Sequence, residues 1–509
     1  MLGYAETHFK FRLPWSPLFR ALPEMILDAP SLALPHQDIP LTLAVHDAHR
    51  FPVRLEEVRL VARAQGRMQQ ATWNPGMPLD QPFHWISLPW PGERIEGAQW
   101  VDAVFRITDA KGKCWTFLNH NLPGLPPSSL RILRLGSDFP APEGWVCGDL
   151  HCHTVWSEDP VEWGGDPMVM RRAARCLGLG FYAATDHSYD FAWNHPDYLS
   201  PADPVQRFDA FRRSLPADEP GMPVVLPAEE ISCGNSRGEN IHLLAIDHPD
   251  YLPGQGDGGR RGLDNRPDLS ILQVLERLTE SGAPAFAAHP RPGIGWLQRK
   301  IFRRGQWDPQ DLRPGLHGLQ IANGSWGRDF LSGRDLWVND LLAGNRRLPI
   351  AGNDAHGDLN RATQVAFPLL RLGQTDLHRF GHQRTWIFPG HSPSRSSLRE
   401  ALTGAPCVIS DGPWLGLSVP GAAHAVERSE GTGRIVGESL VEFGRIRRVV
   451  VFSHARSESA ESVLLDLSPA ALRVDSAFQV PADTRYVRAE LWTESGHRAL
   501  TRAVEPDPG

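Results

Sequence analysis

Six short segments of the chain end in residues that bind metal ions or move protons. GDLHCHTVWSED carries His151 and His153 two residues apart. Side chains alternate along a strand, so both imidazoles project from one face, about 7 Å apart along it, and Cys152 turns to the other. Two such imidazoles can converge on one ion, although His-x-His in isolation is more often a surface pair. Glu158 supplies a carboxylate shortly after them. FYAATDHS ends an apolar run in Asp186 and His187, which face opposite ways on a strand. One is then a direct ligand, and the other orients it or bonds to backbone. VVLPAEEIS ends in Glu229 and Glu230, whose mutual repulsion favours a nearby cation, although such a pair is usually just solvated. His242 leads the apolar run of ENIHLLAID, and PAFAAHPRP ends in His289 with Arg291 just beyond. LPIAGNDAHGD sets Asp354 and His356 on a common face. Each segment has an ordinary explanation alone. Together, in one stretch of chain, they point to a metal site.

The elements that must position these groups change character along the chain. Residues 1–140 read as an N-terminal antiparallel β domain, because IPLTLAVHD, RLEEVRLVAR, QWVDAVFRIT and KCWTFLN alternate and are broken by turn residues. The Pro-, Gly- and Ser-rich runs LPGLPPSS and SDFPAPEGW suit a linker. Residues 141–390 alternate amphipathic helices with apolar strands, as in MVMRRAARCLGLG before FYAAT and LSILQVLERLTESG before PAFAAH. That pattern predicts a parallel α/β domain, with its ligands at the C-terminal strand ends. Residues 391–509 return to strand-like runs such as GRIRRVVVFSH and RYVRAELWTE, a C-terminal β-rich domain. The Gly-rich YLPGQGDGGRRGLDNRPD is an exposed loop and contains no phosphate-loop pattern.

A length of 509 residues, at about 150 per domain, suits three such units. With 41% hydrophobic and 22% charged residues, the chain is globular rather than disordered or fibrous. A net charge of −7 gives no pull toward nucleic acid, so long nucleic acid is not an expected partner. The basic run RKIFRR (299–304) reads equally as a solvated helix face. No stretch approaches the ~18 apolar residues of a membrane span, and the N-terminus shows no apolar secretory region. Six cysteines without CxxC pairs read as free thiols, which suggests a reducing cytoplasm.

The ordered blocks HxHT, TDH, EIS, IHLL, AHP and GNDAH, from Gly148 to His356, resemble the PHP (polymerase and histidinol phosphatase) superfamily of metal-dependent hydrolases. The β regions on both sides resemble its carbaryl-hydrolase-like branch. The resemblance implies an α/β fold, a distorted (β/α)7, TIM-like barrel flanked by β domains, with two or three divalent metals at its rim. By position it implies His151, His153 and Asp354 around one metal. Glu230 would bridge to a second metal held by His242 and His289, and Glu158, His187 and His356 would hold a third. The family more often has Asp followed by Gly where this chain has Ser-Glu-Asp-Pro, so Glu158 and Asp159 are both candidates there. Six imidazoles and three carboxylates without a thiolate suit zinc, manganese or iron.

Two metals about 3.5–4 Å apart can hold a bridging water and lower its pKa toward ~7, providing hydroxide to attack phosphorus or a carbonyl carbon. Arg291 would clamp a phosphoryl oxygen, as planar guanidinium groups do; a structural salt bridge is its alternative. His195, in FAWNHPDYLS, is a candidate leaving-group acid, against a plain loop histidine. Asp186 is read as an orienting carboxylate, and Asn323 as lining the pocket. Trp156, Trp163, Trp193, Trp296 and Trp326 accompany these segments. Packing is the default for tryptophan, but five near rim loops suggest an aromatic wall and a small-molecule ester with a flat or bulky group. The leading expectation is a phosphoesterase for a small phosphomonoester or phosphodiester. A carboxylic ester, amide or carbamate hydrolase is the alternative, and a non-enzymatic binding protein the third.

Overall fold

Alternation of buried and exposed residues builds the N-terminal part. Val53–Ala64 buries Val53, Leu55, Val58, Leu60 and Ala62 and exposes Arg54, Arg59 and Arg63, with a bulge at Leu55–Glu57 where the alternation slips by one, the signature of a strand with one wet face. It pairs antiparallel with Gly97–Asp109 at the centre of a seven-stranded sheet. A second sheet, of Glu24–Asp28, Leu41–His46 and Phe83–Leu88, joins it around a core that includes Met25, Leu43, Leu60 and Phe105. Each of those larger side chains contributes about 1.5–3 kcal/mol by leaving water.

The computed structural model describes residues 22–157, 164–193, 201–256, 265–366, 371–420 and 432–506. The strands that bear on the site are β1 (Val146–His153), β2 (Phe181–His187), β3 (Val224–Gly234), β4 (Asn240–Ile246), β5 (Ala285–Ala287), β6 (Gly318–Asn323), β7 (Leu348–Gly352), β8 (Ala355–His356) and β9 (Arg384–Ile387). Almost every residue in β1 to β7 is buried, which explains their near-continuous apolar sequence. Helix α1 (Pro167–Leu177) follows β1, α2 (Pro204–Ser214) follows β2, and α3 (Ile271–Ser281) follows β4. The last three are α4 (Trp296–Ile301), α5 (Arg328–Leu342) and α6 (Arg395–Ala401). Local chemistry sets their ends. Asp166 caps α1 by accepting from the Met168 and Val169 amides, and Gly178 ends it at φ 76°. Ser270 and Gln273 form a capping box on α3.

The (β/α)7, TIM-like barrel is corrected by this topology. The described residues contain twenty-nine strands against six α-helices. The site-bearing sheet is mixed: β1, β2 and β3 run parallel, β4 is antiparallel to both β3 and β5, and β5, β6 and β7 are again parallel. From β1 the sheet continues antiparallel into β9 and then Cys407–Ser410, Arg498–Thr501, Thr484–Thr493, Ile446–Ala455 and Ser462–Leu467, within a fourteen-stranded sheet. The physical reason lies partly in the β3–β4 connection. Asn235 Oδ1 accepts from the Arg237 and Glu239 amides at 2.9 Å each, a tight Asx turn. Such a turn yields a hairpin, where a parallel pair requires a long crossover.

All six cysteines are free thiols; five are buried and Cys114 is exposed. Among the described residues no helix is long and apolar enough to cross a membrane.

Candidate metal centre

Alternation on β1 turns His151 and His153 into one space. Cys152 faces away, where its thiol donates to Ala183 O at 3.1 Å. The same rule separates Glu229 from Glu230 on β3. Glu229 accepts from His248 Nε2 at 2.8 Å and from the Leu252 amide on one side, while Glu230 lies among imidazoles on the other. Asp186 and His187 split likewise: Asp186 accepts from the Thr154 amide and hydroxyl at 2.8 and 2.9 Å, and His187 joins the cluster.

Beyond β7, Asn353 and Asp354 are brought in by a close approach. A Cβ on Gly352 would lie 2.5 Å from His151 Cβ. Without one, the Asn353 and Asp354 amides reach His151 O at 3.1 and 2.7 Å. Asp149 staples the arrangement, accepting from the His151, Asn353 and Gly381 amides and from Asn353 Nδ2. Asp354 sits at φ 55° and His289 at φ 25°. Non-glycine residues in that region are strained and collect at functional sites.

Three groups result among the described residues, each with ligand atoms within 4.8 Å of one another: His151, His153, Glu230 and Asp354; Glu230, His242 and His289; and His153, His187 and His356. Glu230 joins the first two. Its Oε1 lies 2.7 Å from His242 Nδ1 and 3.1 Å from His289 Nε2. Its Oε2 lies 3.3, 3.4 and 3.0 Å from nitrogens of His151, His153 and His187. Asp354 Oδ1 is 3.3 Å from His151 Nε2 and 3.0 Å from His153 Nε2.

The remaining nitrogens on His151 and His153 face polar groups. His151 Nδ1 is 2.8 Å from Gln320 Oε1, and His153 Nδ1 is 3.0 Å from Ser157 Oγ. Both rings thereby turn Nε2 inward, as metal-bound histidines do when their second nitrogen is held. His151 Nε2 and Glu230 Oε2 are fully buried and form no hydrogen bond of acceptable geometry. Orphaned buried atoms of that kind are costly unless something bonds them. The donor set therefore fits a cation, and the cluster can bind a metal ion.

Electrostatics agree. Burial alone would lower His151, but the Glu230 and Asp354 carboxylates overcome it and raise the imidazole to about 10. Burial, with the neighbouring His356 and His187, holds His153 well below the usual imidazole range. Burial opposes ionisation of Glu230 and Asp354, yet the surrounding imidazoles hold both carboxyls well below the usual range.

Other groups singled out in the sequence fall elsewhere. Glu158, Asp159, Trp163 and His195 lie outside the described residues. Arg291 is paired with Asp308 at 3.5 Å. Asn323 accepts from Gln320 Nε2 at 2.9 Å and reaches Asp354 Oδ2 at 3.5 Å. Trp156 packs on Phe191 and Phe211, Trp326 packs edge-on against Phe330, Trp193 is part-buried, and Trp296 is largely exposed. Sequence reasoning missed Arg304, whose Nη1 is 2.9 Å from His242 Nε2, as well as Gln320, Ser157 and Asp149. The polar residues inside apolar strands, Asp149 in VCGDLHCH and Gln320 in GLQIAN, were the available signal. No protein-family model matches the chain, and no curated protein matches it.

Proposed function

We propose that the chain is a metal-dependent hydrolase of small phosphoesters, built around Glu230. The sharing of Glu230 carries this reading: one carboxylate meets two imidazoles through Oε1 and three through Oε2. A carboxylate so placed suits a bridge between two ions, with zinc, manganese or iron favoured by an all-nitrogen-and-oxygen donor set. His151, His153 and Asp354 would hold one ion, His242 and His289 a second, and His187 with His356 would contribute to a third. Ions of this class supply Lewis acidity and a bound water whose pKa falls toward ~7.

The chain's own residues supply the rest. Gln320 and Ser157 fix the His151 and His153 rings, and Asp186 ties Thr154 beside them. Arg304 already reaches the cluster and would bind a substrate oxyanion there, as guanidinium groups bind phosphate. That cation favours a phosphoester over a neutral carboxylic ester, amide or carbamate. The order of the ligand segments, with its resemblance to the PHP superfamily, supports the same chemistry independently of any barrel.

Metal content by mass spectrometry, alongside hydrolysis of p-nitrophenyl phosphate, bis-p-nitrophenyl phosphate and an aryl acetate, tests the proposal. Two or more ions per chain with chelator-sensitive phosphate release is the expected result. Ester cleavage without phosphate release would transfer the assignment to carboxylic esters. No metal uptake after reconstitution would overturn it.

A further inference from the structure

A cavity of about 70 Å³ lies where the N-terminal sheet meets the metal-binding region. Its wall includes Ile26, Asp28 and Trp85 from the N-terminal part, Met170 from α1, and His356 and Asp358 from the segment after β7. His356 is shared between the cavity and the metal cluster, since its ring stacks on His153 with centroids 4.0 Å apart. A group held in the cavity therefore lies against the edge of the candidate centre.

Two carboxylates on that wall have no cationic partner. Asp28 accepts only from the Ala29, Leu359 and Asn360 amides, and Asp358 only from the Thr363 amide. Neither forms a salt bridge among the described residues. Arg361 also lines the cavity, with its Nη1 donating to Ser128 Oγ at 2.7 Å, so two carboxylates there face one guanidinium. Burial pushes the Asp28 carboxyl up to about 7, as expected where a negative charge lacks compensation. The volume is several times the roughly 10–15 Å³ that one water needs on the same measure, so a small polar group has room there. Trp85 lines the same wall, and aromatic rings attract organic cations.

We propose that this cavity is a cation subsite, taking a primary ammonium group on the alcohol part of the substrate between Asp358 and Trp85. The N-terminal β region would then select for amino-bearing phosphoesters. The substrate assignment rests on the hydrolase reading; the cation site does not.

Ethylammonium chloride on chelator-treated protein tests the site directly, by saturation-transfer NMR and thermal shift against sodium and potassium chloride. Wild type should bind ethylammonium, and Asp358→Asn should weaken it about tenfold or more, the scale of one charge-assisted hydrogen bond. Trp85→Ala should weaken it as well, which guards against misfolding of the first variant. With metal-loaded protein, kcat/KM for 2-aminoethyl phosphate should exceed that for ethyl phosphate, and Asp358→Asn should bring their ratio near one. Binding that both variants leave intact, or a response equalled by sodium or potassium, overturns the subsite. Ethylammonium binding without hydrolysis of either ester retires the hydrolase and the substrate assignment but keeps the cation site. Equal hydrolysis of both esters without ethylammonium binding does the reverse.

Discussion

Gln320 holds His151 from behind, its Oε1 2.8 Å from His151 Nδ1. An amide oxygen can only accept, so Nδ1 carries the proton and Nε2 is left facing Glu230 and Asp354. The amide's orientation is fixed in turn, because Oε1 also accepts from the His289 amide and Nε2 donates to Asn323 Oδ1. Replacing Gln320 with leucine keeps the bulk and frees the ring. Metal affinity should fall about 10–100-fold, the usual cost of losing an orienting partner, with far-UV circular dichroism unchanged. An unaltered dissociation constant in a metal-buffer titration would exclude this role.

Much of the site is legible from period-two arithmetic. His151 and His153 share a face because they are two apart, and Glu229 and Glu230 part company because they are adjacent. Long-range pairing is not legible that way. Arg304 reaches His242 across sixty-two positions, and nothing in RKIFRR distinguishes it from its basic neighbours. The fold misleads for a related reason. Helix-then-strand segments dominate residues 141–390, yet one tight turn at Asn235 reverses β4 and breaks the parallel order. The turn at Asn235 thus sets the direction of β4 locally, which the helix-and-strand pattern around it does not reveal.

Among the described residues Glu230 is the one carboxylate common to two ligand groups, so its loss should not resemble the loss of a peripheral ligand. Glu230→Gln keeps the shape but removes the charge that five imidazoles face. Metal stoichiometry should collapse, by more than the about 10–100-fold that an orienting residue costs. His289→Ala should empty only the group it shares with His242. Breaking a buried charge pair also costs about 3–5 kcal/mol, so metal-free Glu230→Gln should melt earlier than metal-free wild type. Equal metal content in the two variants would show that Glu230 is not a bridge.

Protons and metal compete at His151. With its imidazole raised to about 10 by the adjoining carboxylates, the metal-free ring is charged throughout the neutral range. Binding an ion at Nε2 must expel that proton, so affinity should rise with pH, about tenfold per unit for each proton displaced. The same shift acts on folding. A group raised from 6.5 to about 10 contributes stability that is complete below 6.5 and lost as pH climbs through 10. Metal-free protein should therefore lose this contribution on the alkaline side, while loaded protein does not. Calorimetric titration in buffers of different ionisation enthalpy reads the proton release, and a pH-independent affinity would refute it.

Arg291 and Arg304 separate by their partners. Arg291 lies just past His289 but its guanidinium is turned to Asp308 at 3.5 Å, and Asp308 also receives Arg237 at 2.6 Å. Arg304 Nη1 instead lies 2.9 Å from His242 Nε2, which puts a guanidinium beside the Glu230, His242 and His289 group. Arg304→Ala should lower kcat/KM for p-nitrophenyl phosphate by about tenfold or more, since a charge-assisted hydrogen bond is worth roughly 1.5–3 kcal/mol. Arg304→Lys should recover only part of this, because a point charge does not replace a planar fork. Arg291→Ala should cost less and act mainly on stability through Asp308. The reverse order of effects would return the oxyanion to Arg291, which two-residue spacing from His289 suggests on its own.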